Sequence, residues 1–102
     1  MTAPSLNLRF TEGDRFRTKT APVHGLSHAI TEFLRSWPNQ GELVCRDVRQ
    51  MKFWNGGRNY VVVYTRRTHL VGLMNLFETP KDDGLLKDYL EMMRTLYCGG
   101  KK

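Results

Sequence analysis

The stretch ELVCRDVRQMKFWNGGRNYVVVYTRR, residues 42–67, decides the fold. Its apolar residues recur with a period of two, the pattern of a strand with one face turned inward. Asn55-Gly56-Gly57 interrupts it with residues that tolerate the positive φ of a tight hairpin turn. The stretch therefore predicts two antiparallel strands. Val61, Val62 and Val63 stand in a row, so the second strand is expected to be at least partly buried on both faces. A single helical layer covers only one of those faces, and something else must cover the other. The register has two solutions. A turn centred on Gly56-Gly57 puts Asn59, Val61, Val63, Thr65 and Arg67 on the face of Arg46, Val48, Gln50, Lys52 and Trp54. A turn centred on Asn55-Gly56 flips the partner set.

Outward from the hairpin, HLVGLMNLFE (69–78) is a third apolar segment only a few residues on, and a three-stranded antiparallel meander is the simplest arrangement. Upstream, Leu26, Ile30, Phe33, Leu34 and Trp37 form one helical stripe, with Ser27 as a capping hydroxyl and Pro38 as the stop. Downstream, Thr79-Pro80-Lys81-Asp82 reads as a helix start. Leu86, Tyr89, Leu90, Met93, Leu96 and Tyr97 carry that helix to about Tyr97, and Gly99-Gly100 ends it. Near the N-terminus, Leu6, Leu8 and Phe10 alternate before a Gly-containing acidic turn and Phe16, which predicts a hairpin or extended arm within residues 1–25. The expected architecture is α+β: a two-layer sandwich with that arm followed by α-β-β-β-α. Residues 26–98 form one domain, and 99–102 a frayed basic tail.

The chain has 102 residues, 40% of them apolar and 11% aromatic, which is the composition of one domain with a packed core and excludes wholesale disorder. No apolar run is long enough to cross a bilayer, and the first residues lack the pattern of a secretory leader, so a cytoplasmic location is expected. The net charge of +6 is uneven. Residues 39–68 hold Arg46, Arg49, Lys52, Arg58, Arg66 and Arg67 against only Glu42 and Asp47, while residues 69–102 balance. A local positive field attracts polyanions or acidic protein surfaces without choosing between them.

Little in the chain points to catalysis. Cys45 and Cys98 have no metal-ligand spacing. Two free thiols in a reducing compartment are the expected state, with a structural disulfide as the alternative. His24, His28 and Glu32 are spaced four apart, but Gly25 and the cap at Ser27 put His24 outside the helix, and no metal or other cofactor is expected. His69 reads as a surface or turn residue. Asp82, Asp83, Asp88 and Glu91 suit a solvated helix face and a first turn favoured by the dipole. No set of nucleophile, base and orienting group is legible, so the reading is non-enzymatic.

What remains is a basic hairpin interleaved with aromatics. Arg46, Arg49, Lys52, Trp54, Arg58, Arg66 and Arg67 are the expected partner-contacting residues. A sheet face with those cations and the Trp54 indole suits phosphates and stacked bases, or an acidic protein surface. In element order alone, helix–three strands–helix is similar to the Alu-RNA-binding subunits of the signal recognition particle and to double-stranded-RNA-binding domains. That similarity would imply RNA as the ligand. The acidic Lys81-Asp82-Asp83 helix start and the first 25 residues depart from both, so no family is assigned. The preferred expectation is a protein-binding module: a small subunit, adaptor or inhibitor, including a phage- or plasmid-encoded one. A homodimer through the sheet face is one form of it, and a small RNA-binding domain using the same hairpin is the alternative.

Overall fold

The valine-rich segment lies at the centre of the sheet. A computed structural model describes residues 7–99, with strands β1 (Arg9–Glu12), β2 (Glu42–Cys45), β3 (Val48–Asn55), β4 (Arg58–Arg66) and β5 (Leu70–Thr79) in the spatial order β1-β5-β4-β3-β2. Three helices accompany them: α1 (Asp14–Thr20), α2 (Leu26–Ser36) and α3 (Asp83–Met92), the last continuing as a π-helical turn over Met93–Tyr97. The α+β class and the antiparallel β3-β4-β5 meander are both present.

Gly56 and Gly57 adopt φ of 60° and 79°, and Asn55 pairs with Arg58 across them. Two successive left-handed residues match the twist of the flanking strands, which is why glycine is needed there. This selects the first of the two registers: Trp54 faces Asn59, Lys52 faces Val61 and Gln50 faces Val63. One side of the sheet offers Tyr60, Val62, Tyr64, Met51, Val71 and Leu73 to Phe16 of α1 and to Leu26, Ile30 and Leu34 of α2. The other side offers Val48, Val63 and Phe77 to Leu90 and Met93. Val61, Val62 and Val63 are all buried. Removing a valine side chain from water is worth about 1.5–3 kcal/mol, so the central strand needs both covers.

The layer count therefore differs from the two-layer expectation. α3 packs on the face opposite α2, giving helix, sheet and helix, because a run of three valines cannot be buried from one side. The two further strands come from segments read otherwise. ELVCRDVRQMKFW is not one strand: it turns at Arg46-Asp47 to make the β2–β3 pair. The N-terminal segment is not a hairpin in its described part, and it is extended only as far as Glu12. Residues 9–12 form β1, parallel to β5, and the supposed turn starts α1, where Gly13 precedes the helix and donates its N–H to the Leu73 carbonyl at 2.8 Å. DRFRTKT has a single large apolar residue, Phe16, so it shows no amphipathic period, and its helix is specified by burial of that ring.

α1 continues along β5 where β1 stops, covering an edge that would otherwise present unpaired backbone groups. β5 bulges there: Val63 pairs with Asn75 and Tyr64 with Leu73, leaving Met74 as the extra residue. Two helix starts also shift. α2 begins at Leu26 after Gly25 at φ 79°, so Ser27 sits inside the helix. α3 begins only at Asp83, because Thr79 still belongs to β5 and Asp82 turns back to accept the Glu78 N–H at 3.0 Å. The basic tail at Lys101 and Lys102 lies outside the described residues.

Tyr64 ties the α2–β2 connection to the sheet. Its buried hydroxyl donates to the Pro38 carbonyl and accepts the Gly41 N–H, each at 3.0 Å. Burial pushes the phenol up from its ordinary value, against the Gly41 bond and the nearby Arg49 and Arg66 charges. At the opposite side of the molecule, Cys45 and Cys98 form a disulfide with a Cα–Cα distance of 6.2 Å. The expectation of free thiols is corrected: β2 and the end of the π-helical turn meet in space although 53 positions separate them.

Candidate partner-binding surface

The seven residues of the basic hairpin do not form one surface. The register sends six of them to opposite ends of the sheet, each end with a different chemistry, and leaves Arg49 at neither.

At the end away from the Gly56-Gly57 turn, the strand order lays out a row of cationic and ionisable groups. Arg9 opens β1, His69 precedes β5, Arg66 and Arg67 close β4, and Arg46 sits in the β2–β3 turn. Neighbouring strands lie about 4.8 Å apart, so five strands spread this row over about 20 Å. Among the described residues one carboxylate stands with them, and it is engaged. Asp47 Oδ2 accepts from Arg67 Nε at 2.6 Å, and Asp47 Oδ1 accepts from the Tyr97 hydroxyl at 3.0 Å. Arg67 Nη2 also donates to that hydroxyl at 2.9 Å, closing a three-residue brace. Burial raises the Asp47 pKa, but the Arg67 and Tyr97 bonds outweigh it and hold the carboxyl below the usual range.

The other cations of this end are held differently. Arg66 folds its Nη1 onto the carbonyls of Arg67 and Thr68, while its Nε is buried without a hydrogen-bond partner. Arg46 has φ 50°, and among the described residues it is the one non-glycine in the left-handed region. A left-handed conformation costs a side-chain-bearing residue about 1–2 kcal/mol. The turn is kept by its surroundings: the Asp47 carbonyl accepts the Arg66 N–H at 2.8 Å, and Cys45 is fixed by the disulfide. The Arg46 side chain is exposed at the tip of this braced turn.

At the hairpin end, Lys52 and Trp54 share the face of Asn59, and Trp54 is 65% exposed. α3 does not reach this part of the sheet. An open groove of about 610 Å³ remains, lined by Gln50, Lys52, Asn59 and Val61 with Asp83 and Leu86 on the helix side. The nearby Arg58 is paired with Glu78 at 3.3 Å, and Lys81 reaches the same carboxylate at 3.7 Å. Arg49 belongs to neither end: it projects to the opposite face and donates to the Gly41 carbonyl at 2.8 Å, a structural role. Arg46, Arg66 and Arg67 are thus brought to one end of the sheet, and Lys52, Trp54 and Arg58 to the other.

Arg9, His69 and the Asp47–Tyr97 brace are absent from the residues selected by sequence. Arg9 joins the site only through the pairing of β1 with β5 and Tyr97 only through the return of the C-terminal turn, neither of which has a local signal. His69 sits in the β4–β5 connection and Asp47 in the β2–β3 turn. Both cysteines are engaged in the disulfide, which removes them as free nucleophiles. Among the described residues no three His, Cys, Asp or Glu side chains gather in a metal-holding group. No protein-family model matches the chain, and no curated protein matches it at a significant level.

Proposed function

We propose that this chain is a non-enzymatic protein-binding module that docks on an acidic protein surface through the cationic end of its sheet. The observation that carries this reading is the row Arg9, His69, Arg66, Arg67 and Arg46, with its one carboxylate already paired. The arginines of this row complement a patch of carboxylates, speed the encounter and set the orientation of the partner. The brace holds Arg67 in place, so that side chain has little freedom left to lose on binding. A small subunit, adaptor or inhibitor fits this description.

A second reading rests on a separate observation, the exposed Trp54 beside Lys52 and Asn59 at the hairpin end. An indole next to a cation on an open sheet suits base stacking of single-stranded RNA. It ranks second because Glu42 and Asp83 line the same groove and oppose phosphate. A second copy docking on the sheet face would have to use this same strip.

No helix among the described residues is long and apolar enough to cross a membrane. The cytoplasm remains the proposed location on the sequence pattern. The Cys45–Cys98 bond fits oxidising surroundings better, and trapping free thiols with an alkylating agent in intact cells decides between the two.

The test of function is purification of the intact chain from its native host, with and without nuclease, beside the Arg9→Glu/Arg46→Glu variant. The expected result is a bound protein that survives nuclease and is lost from the variant. A partner retained by the variant, or removed by nuclease and restored by added RNA, overturns the reading.

A further inference from the structure

The apolar arc of α3 is wider than the sheet it covers. Leu86, Leu90 and Met93 turn toward the sheet, whereas Leu85, Met92 and Leu96 are 62%, 39% and 76% exposed. These last three, with the half-buried Tyr89 between them, follow at offsets of 4, 7 and 11, one stripe along the helix. At about 1.5 Å per residue the stripe is some three turns long. It borders a groove of about 460 Å³ between α3 and α1, floored by Phe77 and Tyr89. Its two walls differ in charge. On the α1 side, Lys19 Nζ lies 4.1 Å from the centre of the Phe77 ring and Arg15 Cζ 5.9 Å from that of Tyr89. On the α3 side stands Asp88.

We infer that this groove is a second docking site, independent of the cationic end, for an amphipathic helix that carries carboxylates along the flank facing Arg15 and Lys19. A helix is favoured over an extended segment because the groove runs between two helices and α1 already lies along the edge of β5 that a strand would need. The spacing of the exposed stripe matches the recurrence of apolar side chains on one face of a second helix. Charge complementarity sets its polarity: acidic toward α1, basic or neutral toward Asp88. Burial, with the like charge of Arg15, lowers the pKa of Lys19 in spite of the opposing pull of Asp82. A chain with two separate docking faces can bridge two partners, which is the work of an adaptor.

The experiment uses two synthetic helical peptides of about four turns with the same apolar stripe. One has glutamates and the other lysines on the flank meant for α1. Fluorescence anisotropy with the intact protein should show the glutamate peptide bound at least about tenfold more tightly. Arg15→Glu/Lys19→Glu should reverse that order. Leu85→Ser/Met92→Ser should abolish binding of both peptides with unchanged circular dichroism, these side chains being at the surface. Arg9→Glu/Arg46→Glu should bind the glutamate peptide like the wild type, so failure of the cationic-end reading and failure of this one are distinguishable. The inference is overturned if neither peptide binds, if the two bind equally, or if Leu85→Ser/Met92→Ser binds undiminished. It is also overturned if light scattering shows a dimer that Leu85→Ser/Met92→Ser dissolves, the occupant then being a second copy, or if an RNA oligonucleotide displaces the peptide.

Discussion

Arg67 Nε donates to Asp47 Oδ2 at 2.6 Å, joining the end of β4 to the β2–β3 turn, and the Tyr97 hydroxyl bonds to both partners. The brace makes the carboxyl of Asp47 harder to protonate in the folded chain than in the unfolded one. Its contribution is present above the ordinary aspartate value of about 3.9 and is lost as the pH falls through the lower folded value. Acid titration of Asp47→Asn, followed by circular dichroism, should therefore show a shallower loss of stability below about pH 4 than the wild type. Parallel curves would mean that the brace contributes nothing to folding.

The disulfide closes a loop of 53 positions. Constraining the unfolded chain over that span is worth about 4 kcal/mol in the chain-entropy account. Cys45→Ser/Cys98→Ser should unfold at correspondingly lower denaturant. A dithiol reductant should bring the wild type down to the double variant and leave the variant itself unmoved.

Tyr64→Phe removes the hydroxyl that serves both Pro38 and Gly41. A buried N–H and a carbonyl lose their partner together, and the expected cost is about 1–3 kcal/mol by denaturant unfolding. Gly41→Ala should cost at least as much, because its Cβ would stand 2.6 Å from the Gln50 carbonyl oxygen and 2.9 Å from the Tyr64 hydroxyl. An alanine variant as stable as the wild type would show that the β2–β3 pair shifts easily.

Arg46 carries a conformational cost in its left-handed turn position. Asparagine tolerates that region better, so Arg46→Asn should raise stability by about 0.5–1 kcal/mol. The same change should weaken docking on the acidic partner. A variant that gains stability and keeps full binding would remove Arg46 from the site.

Much of the fold was legible because its strongest signals are local. The glycine-marked hairpin, the β3-β4-β5 meander and the α2 stripe through Leu26, Ile30, Phe33 and Leu34 follow from period and punctuation. The register needed the strand pairing itself, and Trp37, expected on that stripe, falls just past the helix and is exposed. The valine run also implied two covered faces, even though a two-layer outline was drawn from it. What was missed depends on distant pairs. Arg46-Asp47 contains no glycine or asparagine, so nothing local marks it as a turn; the Arg66 N–H and the Arg67 guanidinium hold it from β4. α1 has no periodic pattern and is defined by the place that Phe16 takes in the core. The disulfide needs the C-terminal turn to return to β2, which spacing cannot show. The candidate site was legible as composition but not as geometry. Counting cations along the chain found most of them, while only the strand order separates the end with Arg46 and Arg67 from the end with Lys52 and Trp54.

The bond between Cys45 and Cys98 also holds Cys98 beside Arg46, at the same end of the sheet where Arg9 begins β1, and the Gly56-Gly57 turn lies at the other end. An epitope inserted between Gly56 and Gly57 would project from the far end of β3 and β4 and leave the cationic row open. Capture through the hairpin turn is thus the arrangement in which an acidic partner meets an unobstructed surface.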